Sequence, residues 1–237
     1  MELYRTKIKK CGNLIKVHKY ERPIVRGYSK KGNNTAKSST SNISEEEREQ
    51  RRVRKIYKSR NDFIDLINYN FTTKDILITL TYEREEDPEM IKYNFNNFIK
   101  KIKYRFGNDI KYCYVKYKQD RGIYHYHIIL NINYMDKDTL EKIWSYGRSQ
   151  ISRIKNVNAI GTYMGNHINI DTVNKKEYKE KVFQKSRTCK IPQWTYGNDA
   201  ENILYTLTSE YEEKFKKKYD TEMYKEMEII IYEKVVT

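Results

Sequence analysis

Two of the four histidines stand two residues apart, in Tyr124-His125-Tyr126-His127-Ile128-Ile129-Leu130. That run is β-prone, and on a strand residues i and i+2 point to the same face. His125 and His127 then project side by side, and Tyr126 points away. Two imidazoles so placed are ligands for a divalent cation, but two alone make a weak site. A third ligand has to come from a neighbouring strand. A bare pair on a polar sheet face is the competing reading, because so short a pattern recurs by chance.

The elements that must position this pair can be read around it. Residues 76–82 (ILITLTY) form a short buried strand on which Thr79 and Thr81 share a face. They either face a substrate or merely favour β structure. Asp87-Pro88 opens a helix, with Asp as N-cap and Pro at the first helical position. Ile91, Phe95, Phe98, Ile99, Ile102 and Phe106 give it one apolar face, and Gly107 ends it. Strands at 110–118 and 123–132 flank the turn Gln119-Asp120-Arg121-Gly122. Asp136 or Asp138 caps a short helix that ends by Gly147, and 150–154 is a further strand. Residues 159–168 make a short helix weakened by Gly161 and Gly165.

The flanks are plainer. Residues 1–28 read as a hairpin turning at Cys11-Gly12-Asn13. Residues 29–43 are polar, with little to bury, and read as a flexible loop. Ser44 and Glu47 form a capping box before an Arg-rich helix (Arg48, Arg51, Arg52, Arg54), either a solvated face or a phosphate-tracking one. The tail is a Lys/Glu-rich stretch followed by a strand at 227–236. With no repeat and no clear linker, residues 1–237 read as one α+β domain.

Composition names the partner class. Lys and Arg number 47 against 32 Asp and Glu, a net charge of +15, and 14% of residues are aromatic. So many aromatics argue against wholesale disorder. No apolar run approaches a membrane span, and the start has no signal-peptide h-region. Cys11, Cys113 and Cys189 fit neither a disulfide framework nor a structural zinc site, so a reducing, cytoplasmic setting is expected. Without a basic amphipathic helix or a lipidation signal, the expected polyanion is nucleic acid rather than membrane. Runs such as Lys111-Tyr112-Cys113-Tyr114-Val115-Lys116-Tyr117-Lys118 mix groups for phosphates and for stacked bases.

Arg121-Gly122-Ile123-Tyr124-His125-Tyr126-His127 resembles the second motif of the HUH endonucleases, in which two histidines flank a hydrophobic residue on a central strand. More narrowly, the chain resembles the rolling-circle replication-associated proteins of the filamentous-phage gene II type, found in small phages and plasmids of Gram-positive bacteria. Ile78-Thr79-Leu80-Thr81-Tyr82 resembles the family's first strand motif. Leu140-Glu141-Lys142-Ile143-Trp144 resembles the helix that follows the histidines. Asn156-Val157-Asn158-Ala159-Ile160-Gly161-Thr162-Tyr163 stands where the family has its catalytic tyrosine, and Ser186-Arg187-Thr188-Cys189-Lys190-Ile191-Pro192 resembles a segment just beyond it. The resemblance covers most of the chain in the right order.

That resemblance implies an RRM-like HUH fold: an antiparallel sheet of about five strands with helices mainly on one face. It implies nicking and joining of single-stranded or hairpin origin DNA, with host helicase and polymerase as partners, since no P-loop is present. Tyr163 would attack and keep the 5′ phosphate, helped by Asn166. His125 and His127 would hold Mg²⁺ or Mn²⁺. Thr79, Thr81, Arg121, Arg187 and Lys190 would contact DNA.

Two positions depart from the family. It often has Lys three residues after its tyrosine, and often a second Tyr next; here Asn166 and His167 stand there, so one nucleophile is expected. It usually has a Glu about eight residues before the first histidine; here that position is Tyr117, with Lys116 beside it. Gln119, Asp120, Glu83 or Glu85 are the alternative third ligands. Tyr178 is the alternative nucleophile. The competing functions are a related relaxase or transposase, a weakened or inactive DNA-binding protein on the same fold, and a single-stranded RNA-binding module.

Overall fold

The computed structural model describes residues 2–26, 43–119, 122–176, 180–207, 210–221 and 224–235. The expected flexible loop at 29–43, apart from its last residue, lies outside them, as do Asp120, Arg121 and Tyr178. In chain order the elements are β1 (Glu2–Cys11), β2 (Leu14–Arg26), α1 (Glu45–Asn70), β3 (Ile76–Tyr82), α2 (Pro88–Phe106), β4 (Tyr112–Lys118), β5 (Tyr124–Leu130) and α3 (Lys137–Ile143). There follow β6 (Gly147–Arg153), α4 (Val157–Asn166), α5 (Ile170–Asn174), β7 (Gln184–Lys185), β8 (Trp194–Tyr196), α6 (Gly197–Tyr205), β9 (Tyr211–Thr221) and β10 (Lys225–Lys234).

The fold is α+β, and it divides into two compact units: residues 1–48 with 191–237, and residues 49–190 inserted between them in the chain. The first unit has a sheet of order β8-β1-β2-β10-β9, antiparallel throughout. One face of that sheet, with Ile8, Val17 and Ile230, packs on Ala200, Ile203 and Leu204 of α6.

The second unit has the order β6-β3-β5-β4-β7, also antiparallel. Its β3-α2-β4-β5-α3-β6 run is the split βαβ arrangement shared by RRM-like folds. Helices cover both faces of this sheet, where the sequence led us to expect mainly one. The reason lies in the two central strands, which are apolar on both sides. Ile76, Ile78, Leu80, Tyr126 and Ile128 pack on Ile91, Phe95 and Phe98 of α2 and on Leu140 of α3. Leu77, Ile129, Cys113 and Val115 turn the other way, onto Phe63 and Ile67 of α1 and Met164 of α4. Each such buried Ile or Phe is worth about 1.5–3 kcal/mol.

The α2 start follows its sequence signal, since the Asp87 carboxylate accepts from the backbone N–H of Glu89 and of Met90, at 3.0 and 3.2 Å. Gly147 opens a strand instead of merely ending a helix. Its φ is +151°, and a Cβ there would lie 2.2 Å from the Thr81 carbonyl oxygen. Gly147→Ala is therefore expected to cost more than about 4 kcal/mol. Urea unfolding checks this; a loss below about 1 kcal/mol would mean that β3 and β6 move apart at no cost.

Candidate functional site

The register of β3, β5 and β4 builds the site. Thr79 pairs with His127 and Thr81 with His125 across β3 and β5. On the other side His127 faces Val115, and His125 faces Tyr117. The Thr79 Oγ1 lies 3.1 Å from His127 Nδ1, and the Thr81 Oγ1 lies 2.9 Å from His125 Nδ1. Both threonines, expected to meet DNA, thus engage the imidazoles. With each Nδ1 engaged by a threonine, Nε2 is the nitrogen left for a further partner, the arrangement common among metal-binding histidines.

Tyr163 arrives from α4. That helix lies close on α1 because Gly161 and Gly165 face it: a Cβ at Gly165 would meet Ile64 Cγ1 at 2.9 Å. The two glycines that weaken α4 as an isolated helix are what let it pack here. Asn156 caps it by accepting from the Ala159 N–H at 2.8 Å. The Tyr163 hydroxyl lies 3.2 Å from His127 Nε2, and its side chain is 45% exposed. The Tyr117 hydroxyl reaches the same nitrogen at 3.1 Å.

His167, one helical turn beyond Tyr163, completes the group. Its ring stacks on Tyr117 with centroids 4.3 Å apart and lies 4.7 Å from that of His127. Asn166 accepts a hydrogen bond from the Arg60 guanidinium of α1. The positive charge that Asn166 itself lacks therefore stands beside it. Arg60 was missed in the sequence reading; the only signal for it was the Arg-rich character of α1.

The remaining candidates are not gathered here. Gln119 is exposed at the end of β4, its backbone closing the hairpin with Ile123. Glu85 is taken by Lys118, Nζ to Oε1 2.6 Å. Lys116 points to the opposite face of β4 and pairs with Glu180 at 3.0 Å, so it does not repel a cation at the histidines. Arg187 and Lys190 follow β7, with Ser186 bonded to the Tyr112 end of β4. That end is about 17 Å along the strand from Tyr117 at roughly 3.3 Å per residue.

Burial shapes the electrostatics. It lowers the His127 pKa to about 3, helped by His167 and His125. It also lowers His125, and lowers His167 with help from His125. Burial, with Tyr163 second, pushes Tyr117 up to about 12, and burial raises Tyr163. The imidazoles are thus neutral, as a metal ligand must be. His125 Nε2 is buried without a hydrogen-bond partner, the mark of an atom awaiting a ligand. Among the described residues, no group of three His, Cys, Asp or Glu side chains could hold a metal ion. The pair therefore fits as two ligands of a divalent cation and not as a complete site.

A pH dependence follows. A depressed histidine pKa means that the unfolded chain binds protons more readily than the folded one below about pH 6.5. The stability contribution is present above the unfolded value and is lost as pH falls toward the folded value near 3 for His127. Between pH 7 and 5, His127 alone should cost about 2 kcal/mol. A melting temperature lowered by about 4–8 °C is expected, and His127→Phe should flatten that slope. An unchanged melting temperature would mean that the ring is solvated.

Residues 75–171 match a family model for replication-associated proteins of the ORF2 and gene II protein kind. The matched segment is less than half of the chain, and it holds both threonines, both β5 histidines, Tyr117, Tyr163, Asn166 and His167. No curated protein and no solved structure matches the chain significantly. Among the described residues no helix is long and apolar enough to cross a membrane.

Proposed function

We propose that the chain is a rolling-circle replication initiator that nicks and rejoins single-stranded origin DNA through Tyr163. The observation that carries this reading is Tyr163, a half-exposed residue whose hydroxyl lies 3.2 Å from His127 Nε2, inside the segment similar to a replication-associated family. In the reaction, the Tyr163 oxygen forms a bond to the scissile phosphorus. The bond to the 3′ oxygen breaks, and that oxygen takes up the phenol's proton by way of solvent. The products are a 5′-phosphotyrosine and a free 3′-OH. One phosphodiester replaces another, so joining is the same step reversed.

Magnitudes decide what His127 does. A base held near pKa 3 by burial is far too weak for a phenol whose own pKa burial raises. His127 therefore does not deprotonate the phenol unaided; its Nε2 orients the hydroxyl in the metal-free protein and would be released from it on taking a cation. His125 and His127 would hold a divalent cation, which would supply positive charge to offset that of the phosphate. Two imidazoles favour Mn²⁺ over Mg²⁺, whose preferred ligands are oxygens. Arg60, through Asn166, is suited to a flanking phosphate.

The test uses single-stranded DNA from the element that encodes the protein, labelled at either end, with Mn²⁺, Mg²⁺ or chelator. A metal-dependent covalent adduct on the downstream fragment is expected on a denaturing gel. Tight binding with no adduct under any metal would leave the DNA-binding reading in its place.

A further inference from the structure

The sheet of the first unit has a second face. Ile8 and Val17 turn towards α6, so their strand neighbours point the other way. There Lys7 pairs across the sheet with His18 and with Tyr196, and Lys9 with Trp194. Aromatic rings and cations alternate over this face. Lys7 Nζ lies 4.5 Å from the Trp194 ring centre and Lys9 Nζ 4.6 Å; the Arg26 guanidinium lies 4.5 Å from that of Tyr196. Tyr4 meets Tyr196 at 4.9 Å, Tyr224 meets Tyr20 at 5.2 Å, and His18 meets Trp194 at 4.8 Å, all edge-on.

Lys9 and Tyr20 are buried on this face, while Lys7, Trp194 and Tyr196 are half-buried; Lys7 and Lys9 already lie over the Trp194 ring and Arg26 over the Tyr196 ring, so a base stacks on the side of each ring that its cation leaves. Burial and the neighbouring Lys9 hold the Lys7 pKa down, so an anion over the pair would relieve their repulsion. Aromatic platforms threaded with cations are the recognition mode of unpaired nucleic-acid strands, in which bases stack and phosphates are neutralised.

We propose that this face is a second binding surface for single-stranded DNA, with bases stacked on Trp194 and Tyr196 and phosphates held by Lys7 and Arg26. It lies outside the family-matched segment, and it does not depend on the nicking chemistry.

The chain has two tryptophans, and Trp144 is only 1% exposed in the core of the second unit. Tryptophan emission quenched by a stacking base therefore reports Trp194. The full chain would be titrated with oligo(dT) of about 16 nucleotides, following emission and anisotropy together. Quenching that saturates with binding is expected. Trp194→Phe should keep binding and lose the quenching. Lys7→Ala with Arg26→Ala should weaken binding about tenfold and reduce the slope of log K against log salt by about 1.4. Circular dichroism would establish that these variants are folded. Binding without quenching, or equal quenching by duplex DNA or oligo(rU), would overturn the proposal. Nicking measured on the same variants separates the two readings. Quenching without nicking leaves this surface standing, and nicking without quenching removes it alone.

Discussion

Tyr163→Phe is expected to abolish the covalent adduct, with strand transfer falling at least about a thousandfold, and to leave DNA affinity within about threefold. The substitution deletes one oxygen. His127 Nε2 keeps the Tyr117 hydroxyl, 3.1 Å away, so the nitrogen is not orphaned. The lost hydrogen bond costs about 1 kcal/mol at most in stability, because the tyrosine is 45% exposed. Quantifying adduct and binding on the same end-labelled strand checks both halves. An adduct that survives in Tyr163→Phe sinks the assignment and moves the search to Tyr178. Loss of binding together with the adduct would mean that the phenol holds DNA and does not attack it.

The second large effect is a gain. Tyr117 faces His125 across β4 and β5, and its ring centre is 5.6, 5.5 and 4.3 Å from those of His125, His127 and His167. Tyr117→Glu places a carboxylate among neutral imidazoles, which gives the pair the third ligand it lacks. Affinity for Mn²⁺, measured by calorimetry, should rise about 10- to 100-fold. The added negative charge should also raise the histidine pKa values. The metal-free variant would then lose less stability on acidification than the parent. An unchanged Mn²⁺ affinity would remove His125 and His127 as metal ligands.

Much of the second unit was legible because its signals are local. The spacing from Ile91 to Phe106 and the Asp87-Pro88 start give α2, and short β-prone runs bounded by turn signals give β3, β4 and β5. The edge strand β9 was not legible. Its eleven residues are Lys/Glu-rich and mostly exposed, and an edge strand is held by backbone pairing with β10 and not by an apolar face. The division into two units was equally hidden. The first unit is closed by β8, α6, β9 and β10, which return to β1 and β2 from the far end of the chain without a linker to mark the break.

Within the candidate site the same boundary appears. The sequence by itself determined that His125 and His127 share a strand face, that Thr79 and Thr81 share another, and that Tyr163, Asn166 and His167 lie on one side of a helix. These follow from periods of 2 and 3.6, which need no partner. Tertiary structure alone decided that each threonine meets an imidazole nitrogen, that the Tyr117 ring lies against those of His125, His127 and His167, and that Arg60 stands at Asn166. It also turned Lys116 to the opposite face and left Arg187 and Lys190 at the far end of β4. Those outcomes depend on strand register and on the close approach of α4 to α1. Both are fixed by packing between residues far apart in the chain, to which local periodicity is blind.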